Sequence, residues 1–343
     1  MPKMALPVVA LGAGVASGLA ATALSIVLLR RRAVFDVPNQ RSSHATPTVR
    51  GGGVGLIAGC LVAIAVGESG SWDRGWLAVV LVAGLGFAAL GLLDDLTASQ
   101  PALRRLAFQV LIAAAAVTAG RGELPRGRYV AALAAVASAL WIVSYVNAFN
   151  FMDGINGISV VQAVVAGAAI AVAAHHQHKY ALEVAAVALV AGAVGFAPYN
   201  FGRAKVFLGD VGSYFAGAWL AGLVLVSLRS GMPPEVAIAP VALYATDTGV
   251  TLIRRVCRGE SWLSAHRQHV YQRLVDLGWS HTATSGFVLA MIAACSMLGF
   301  VSFTTAEAWR AAADCGIVLV IAMYLMSPAA IGRRRPRMEP SGR

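Results

Sequence analysis

Eleven long apolar runs, separated by short polar clusters, form the main pattern of the chain. A hydrocarbon core about 30 Å thick needs roughly 20 residues of helix to cross it, and a lipid-facing backbone must satisfy its own hydrogen bonds. The second run is short and rich in glycine. The pattern predicts an all-α, polytopic integral membrane protein with about eleven transmembrane helices. The runs lie at about 7–29, 53–67, 76–93, 103–119, 129–147, 155–174, 181–199, 214–228, 235–253, 284–302 and 308–327.

The composition and the distribution of charge agree with this prediction and orient it. The 343 residues are 58% hydrophobic and 13% charged, about half the charge of a soluble domain. With the N-terminus outside and the C-terminus inside, 19 Lys and Arg residues fall on the inner side and 8 on the outer side, as the positive-inside rule requires. The net charge of +11 therefore indicates orientation and contact with anionic membrane lipids, and no nucleic acid is predicted as a partner. We expect one transmembrane domain over 1–332 and a basic, disordered cytoplasmic tail over 333–343.

Five polar stretches fall on the predicted inner side, whereas the outer loops are short and unpatterned. Since Lys and Arg alone set this topology, the gathering of Asp, Asn and His on one side is separate support for a site at that membrane face. The stretches read "FDVPNQRSSHATPTVRGGG", "GLLDDL", "YVNAFNFMDGINGIS", "RAKVFLGDVGS" and "SAHRQHVYQRL".

The third stretch holds four polar side chains at steps of three, more than the capping of a helix end needs. Asn147, Asn150, Asp153 and Asn156 are predicted to lie along one side of a turn-rich helix junction. Gly154 and Gly157, which directly follow Asp153 and Asn156, would let the backbone approach a ligand closely.

The adjacent acids Asp94 and Asp95 close an apolar run. Neighbouring carboxylates repel each other, and the C-terminal end of a helix dipole disfavours them further. A pair so close to hydrocarbon needs a cation or a proton as its partner, although a solvated helix end is the simpler alternative.

Asp210 lies between Gly209 and Gly212 at the start of a predicted helix. It is a candidate metal ligand, with a plain helix N-cap as the alternative. Lys205 adds a charge suited to phosphate. Asp247 lies inside a predicted span, where a structural hydrogen-bonding role and a site role are both open.

Arg50 precedes three glycines at the start of a helix. Free N–H groups there would attract an anion, although glycine runs also occur where helices pack closely.

His266 and His269, at a spacing of three, would share a face in a helical turn, with Arg267 and Arg273 nearby. Further zinc ligands at a suitable spacing are missing. Imidazoles beside arginines favour a polyphosphate instead.

In this order, "DVPNQRSSHATPTVRGGG", "LDDL", "NAFNFMDGING", "VFLGDVGS" and "HRQHVYQRL" resemble the motifs of the polyprenyl-phosphate N-acetylhexosamine-1-phosphate transferases, over about residues 30–280. The last motif resembles the bacterial enzymes that initiate O-antigen and related glycans. The branch that uses muramoyl-pentapeptide typically has three consecutive histidines there.

The resemblance implies a reaction in the bacterial inner membrane, at a site that faces the cytoplasm. A UDP-N-acetylhexosamine and undecaprenyl phosphate would give undecaprenyl-diphosphate-sugar and UMP, with Mg²⁺ as cofactor and Mn²⁺ as an alternative. Asp210 and Asn150 would hold the metal, and Asp94 and Asp95 would activate or orient the lipid phosphate. The predicted substrate-binding residues are Asn147, Asp153, Gly154, Asn156, Arg50, Lys205, His266, Arg267 and His269.

One position departs from the family pattern. Relatives commonly have Lys or Arg about seven residues after the acid pair, where this chain has Ala102, so Arg104 or Arg105 would substitute. The sequence also leaves open a homodimer, a single or a double displacement, and, from a different class, a lipid or sugar transporter. Transporters place their polar residues near the membrane midplane, and here those residues lie at one face.

Overall fold

The fold is described from a computed structural model over residues 6–38, 46–67, 74–97, 101–120, 127–261, 264 and 266–333. The predicted tail beyond residue 333 lies outside the described residues. The helices are α1 (Leu6–Arg31), α2 (Gly53–Gly67), α3 (Arg74–Leu96), α4 (Ala102–Ala119), α5 (Arg128–Met152), α6 (Ile158–His176), α7 (Tyr180–Asn200), α8 (Gly209–Arg229), α9 (Pro234–Cys257), α10 (Val270–Asp276), α11 (His281–Thr304) and α12 (Glu307–Arg333).

Each of the eleven predicted apolar runs corresponds to one of these helices. Within the described ranges, ten helices are long and apolar enough to cross a membrane, and α2 is a shorter apolar helix. The prediction of an all-α polytopic membrane protein is therefore confirmed. The short helix α10 was not predicted, and α8 begins at Gly209, about one turn before the predicted run.

A small sheet, absent from the prediction, joins the first polar stretch to the fourth. β1 (Phe35–Asp36) pairs antiparallel with β2 (Thr48–Arg50), which pairs in parallel with β3 (Val206–Phe207). The residues after β2 continue this contact, since the N–H groups of Gly52 and Gly53 donate to the carbonyls of Phe207 and Leu208. The sheet therefore brings Arg50 to the start of α8.

Helix α8 forms the centre of the bundle, and nearly all of its residues are buried. Its neighbours approach it at glycines. A side chain at Gly91 in α3 would collide with the backbone of Asp210, and one at Gly53 in α2 would collide with Gly212. These close approaches leave little freedom for α2 and α3 to move against the N-terminal end of α8.

Candidate active site

Arg50 bridges two carboxylates from different helices. Its Nε lies 2.7 Å from Asp95 Oδ1, and its Nη2 lies 2.8 Å from Asp210 Oδ2. Burial alone would lower the pKa of Arg50, but the charges of Asp210 and Asp95 outweigh it and raise that pKa above its ordinary value. The guanidinium is therefore a permanent cation between the acid pair and the predicted metal ligand.

Asp95 holds the N-terminus of α8. Its carboxylate accepts hydrogen bonds from the backbone N–H groups of Asp210 and Val211, both at 3.0 Å, and its side chain is 1% exposed. Since the Arg50 guanidinium contacts the same carboxylate, Asp95 fixes α3, α8 and β2 to one another. A carboxylate at a helix N-terminus is also favoured by the helix dipole.

Asp94, next to it, is placed differently. Its Oδ2 accepts a long hydrogen bond from the Tyr214 hydroxyl, at 3.4 Å, while its Oδ1 is buried and has no hydrogen-bond partner. An unsatisfied buried polar atom is costly. The two acids therefore differ in their hydrogen bonding. Both oxygens of Asp95 have partners, whereas Oδ1 of Asp94 has none.

Asn150 joins Asp210 from the last turns of α5. Its Nδ2 donates to Asp210 Oδ1 at 3.0 Å and to Ser213 Oγ at 2.9 Å. The two residues predicted as metal ligands are therefore direct neighbours, although 60 positions separate them in the sequence.

A cavity of about 450 Å³ opens beside these residues, among α4, α5, α8 and α9. Of the predicted site residues, Asn147, Asn150, His266 and His269 line it. Its other walls come from Ala102, Arg105, Leu106, Gln109, Val143, Ser144, Phe151, Tyr214, Leu252 and Ser264. The cavity combines amides, imidazoles and one guanidinium with apolar walls, as a site for an amphiphilic or nucleotide-linked substrate requires.

Asn147 is held by a partner from α4. Its Nδ2 donates to Gln109 Oε1 and to the carbonyl of Val143, both at 2.7 Å. Sequence reasoning missed Gln109, although a single glutamine in the apolar run of α4 was a usable signal. It also missed Ser213 and Tyr214, which lie just after "FLGD".

Asp153 ends α5 and lies half-buried beside α6. Its Oδ1 accepts a 2.6 Å hydrogen bond from Ser159 Oγ. Burial raises its pKa to about 7, and the Ser159 hydroxyl only partly opposes this. The carboxyl therefore titrates near neutral pH.

We expect the thermal unfolding midpoint of the wild type to fall, relative to that of Asp153→Asn, as the pH rises from about 4 to about 7. In this window the folded state keeps a proton on Asp153 (pKa about 7), whereas the unfolded chain, with a pKa of about 3.9, has lost it. Stability then falls with rising pH, and asparagine has no such proton. Thermal unfolding of both proteins in detergent at a series of pH values measures the difference. Parallel curves would contradict the assignment.

Gly154 and Gly157 leave room for aromatic rings. A side chain at Gly154 would collide with the hydroxyl of Tyr271, and one at Gly157, where φ is +82°, would meet the ring of Phe201. In the direction of an added side chain, the space at Gly154 and Gly157 is therefore taken up by aromatic residues, and the close approach of their backbone to a ligand stays a prediction. Asn156 is anchored as well, since its Nδ2 donates to the carbonyl of Gly202.

The two loop histidines face each other, but not within a helical turn. Residues 266–269 are irregular, and His269 is the N-cap of α10 in an extended conformation. The ring centroids of His266 and His269 are 4.9 Å apart. Burial, together with the electrostatic interaction with the neighbouring His269, lowers the pKa of His266 to about 4, so His266 is neutral at pH 7.

Arg267 and Lys205 lie away from the cavity. Arg267 pairs with Asp276 at 3.0 Å and lines a separate pocket with Arg254, Arg258 and Arg273. Lys205 is exposed, with its ammonium 5.9 Å from the centre of the Tyr199 ring. Their predicted substrate contacts stay predictions.

The structure distinguishes between the two arginines that follow the acid pair. Arg105 lines the cavity, whereas the Arg104 guanidinium lies 5.8 Å from the centre of the Phe108 ring. Of the two, Arg105 is therefore the arginine that reaches the cavity, three residues after Ala102.

Arg105→Gln is expected to lower kcat/KM for the reaction that the sequence resemblance implies by about 10- to 100-fold, since a hydrogen bond to a charged group contributes about 1.5–3 kcal/mol. Arg104→Gln, the matched control, should stay within about twofold of the wild type. Steady-state kinetics of the two purified variants make the comparison. Equal losses, or a loss with Arg104→Gln alone, would contradict the placement.

The oxygen donors at this end of the cavity fit a magnesium ion. Mg²⁺ takes one or two carboxylates and completes its shell with water and substrate phosphates. Asp210 and the unpartnered Oδ1 of Asp94 supply carboxylate oxygens, and these two groups interact electrostatically. Asn150 would have to turn its amide over, since its Nδ2 faces Asp210. Among the described residues, no three His, Cys, Asp or Glu side chains form a metal-binding group by themselves.

Comparison with known proteins connects this site to one family. The model of glycosyl transferase family 4 matches residues 77–228. The chain is 30% identical to the decaprenyl-phosphate N-acetylglucosaminephosphotransferase of Mycobacterium leprae, over 76% of this chain and 75% of the relative.

Two further relatives carry related names. A probable undecaprenyl-phosphate N-acetylglucosaminyl 1-phosphate transferase of Bacillus subtilis is 27% identical, over 72% of this chain and 71% of the relative. A phospho-N-acetylmuramoyl-pentapeptide-transferase of Streptococcus suis is 28% identical, over 62% of this chain and 72% of the relative. The chain therefore belongs to glycosyl transferase family 4, as a polytopic membrane member of the polyprenyl-phosphate N-acetylhexosamine-1-phosphate transferases.

Proposed function

We propose that this protein transfers N-acetylglucosamine 1-phosphate from UDP-N-acetylglucosamine to undecaprenyl phosphate, releasing UMP. The observation that carries the proposal is the cluster of Asp94, Asp95, Asp210, Arg50 and Asn150, which adjoins an amphiphilic cavity through Asn150. The names of the M. leprae and B. subtilis relatives support N-acetylglucosamine as the sugar.

The reaction is a single in-line displacement. An oxygen of the lipid phosphate attacks the β-phosphorus of the nucleotide sugar, the bond from that phosphorus to the bridging oxygen breaks, and UMP leaves with that oxygen. A phosphate monoester, whose second pKa is about 6, is mostly dianionic at neutral pH. Positioning therefore matters more than removal of a proton.

The residues of the site divide this work. Arg105 attracts and orients a phosphate, and Asn147 and His269 line the space for the donor. Asp95 fixes the α8 N-terminus through which Asp210 is presented. Asp210, Asn150 and Asp94 would hold a magnesium ion, which supplies charge neutralisation for the diphosphate.

Transfer of labelled sugar phosphate tests the proposal directly. Purified protein in detergent is incubated with undecaprenyl phosphate, Mg²⁺ and a panel of UDP-sugars, including UDP-muramoyl-pentapeptide. We expect a lipid-linked product with UDP-N-acetylglucosamine and loss of activity in chelator. No product with any donor, or full activity in chelator, would overturn it.

A second donor deserves its place in that panel, because the S. suis relative is named for the muramoyl-pentapeptide reaction. The loop sequence "HRQHVYQRL" favours the O-antigen type, in which the product begins an O-antigen or related envelope polysaccharide. The proposed location is the bacterial inner membrane, with the site facing the cytoplasm, where the inner loops carry most of the Lys and Arg residues.

A further inference from the structure

A buried carboxylate, Asp247, lies behind the loop histidines. It is in α9 and is fully buried, at 0% exposure. The proposed reaction assigns no role to it. A carboxylate inside a membrane protein is retained at a considerable free-energy cost. The residues that surround it indicate what it does.

Four hydrogen-bond donors converge on Asp247. On Oδ1 they are the Thr251 hydroxyl and His269 Nδ1, both at 3.2 Å, and on Oδ2 the backbone N–H of Val270 at 3.1 Å and the Tyr324 hydroxyl at 2.8 Å. They come from α9, from the N-terminus of α10 and from α12. The carboxylate therefore fixes the loop that carries His269 onto two membrane helices.

The contact with His269 also determines how its ring is presented. A carboxylate accepts, so Nδ1 carries the proton in this hydrogen bond, and Nε2 lies on the opposite side of the ring. His269 lines the cavity, and its Nε2 is buried without a hydrogen-bond partner. His266 Nδ1, on the neighbouring ring, is likewise buried without a partner. Unsatisfied atoms of this kind beside a cavity indicate a polar ligand.

We propose that Asp247 is a positioning residue that holds His269 with its Nε2 toward the diphosphate and sugar of the bound nucleotide sugar. The identity of the ligand rests on the proposed function, whereas the contact between Asp247 and His269 does not. The arrangement corresponds to the carboxylate–histidine pairs that orient functional imidazoles at other sites.

Binding measurements with two nucleotides test the proposal. Asp247→Asn is expected to weaken UDP-N-acetylglucosamine binding by about 10-fold or more while UMP, which lacks the β-phosphate and the sugar, binds as to the wild type. His269→Gln should show the same pattern. Equal weakening of UMP binding would indicate general damage to the site and overturn the proposal.

A double-mutant cycle and matched controls separate positioning from packing. In a His269→Gln background, Asp247→Asn should have no further effect on binding, because both changes remove the same interaction. Tyr324→Phe and Thr251→Val remove donors from the same carboxylate but keep its contact with His269, and they should change binding by less than about threefold. Additive losses, or equal losses in the controls, would contradict the proposal.

The wild type alone supplies a measurement that depends neither on the variants folding nor on catalysis. In protein labelled with ¹⁵N at histidine, assigned with His269→Gln, His269 should carry a proton on Nδ1, and UDP-N-acetylglucosamine should shift its Nε2 signal. An unprotonated Nδ1 would overturn the proposal. Failure of sugar transfer with Nδ1 still protonated would instead count against the proposed function alone.

Discussion

Asp210→Asn is expected to reduce kcat for sugar-phosphate transfer by about 10³-fold while the protein still folds. The change removes the carboxylate charge that Arg50 and Asn150 now share. Metal-assisted neutralisation of phosphate charge contributes several kcal/mol to such reactions, and each 1.36 kcal/mol is a factor of ten in rate. Turnover of labelled UDP-N-acetylglucosamine across a Mg²⁺ titration measures the loss.

Ser213→Ala is the matched control for that variant. It removes the other acceptor of Asn150 Nδ2 on the same turn of α8 but leaves the carboxylate in place, so kcat should fall by less than about fivefold. The thermal unfolding midpoint of Ser213→Ala should lie close to that of the wild type, and Asp210→Asn, which loses one ion pair with the partly exposed Arg50, should still unfold cooperatively. Wild-type turnover by Asp210→Asn would remove this residue from the proposed metal site.

The two acids of "LDDL" should give opposite results when each is changed to asparagine. Asp95→Asn is expected to lower the free energy of unfolding by about 3–5 kcal/mol, the range for breaking a buried ion pair. Asp95, unlike Asp94, contacts Arg50 and accepts from two N–H groups of α8. Asp94→Asn should leave stability within about 1 kcal/mol, because its Oδ1 has no partner to lose.

The variant Asp94→Asn, although it keeps its stability, should lose most of its activity. Asp94→Asn should lose at least about 100-fold in kcat at full stability, since its unpartnered oxygen is the one free to meet a metal or the lipid phosphate. Chemical or thermal unfolding in detergent, compared with turnover of the same preparations, separates the two effects. A destabilised Asp94→Asn with normal turnover would reverse the assigned roles.

The sequence was sufficient for the membrane helices and for the residues of the polar clusters. A continuous apolar run of this length, without the alternation of barrel strands, forms a helix in lipid. Each membrane helix can therefore be located from its own stretch of sequence. The ion pairs are not local, because Arg50, Asp95 and Asp210 lie far apart in the chain, and the small sheet and the glycine contacts help to bring them together. Nothing in "VRGGG" indicated that Arg50 would bridge two acids.

The local pattern left the role of one segment open and gave the wrong local geometry for another. The glycines after Arg50 serve close packing and backbone pairing with the β3 segment, which was the alternative to a phosphate site. A spacing of three between His266 and His269 suggested a helical turn, but the hydrogen bonds of Asp247 to His269 and Val270 make His269 a helix cap instead. A partner that comes from another helix is not visible in the spacing of either segment.

The glycine contacts around α8 have a consequence for how a substrate with a long isoprenoid tail reaches the site. The acidic end is closed on the side of α2 and α3, because their backbones touch α8 directly. On the other side, most of the apolar stretch of α4 is not covered by the rest of the protein, since only 22% of it is buried. Helix α4 also contributes Arg105, Leu106 and Gln109 to the cavity wall. The lipid is therefore expected to enter beside α4, where Arg105 lies in the cavity wall.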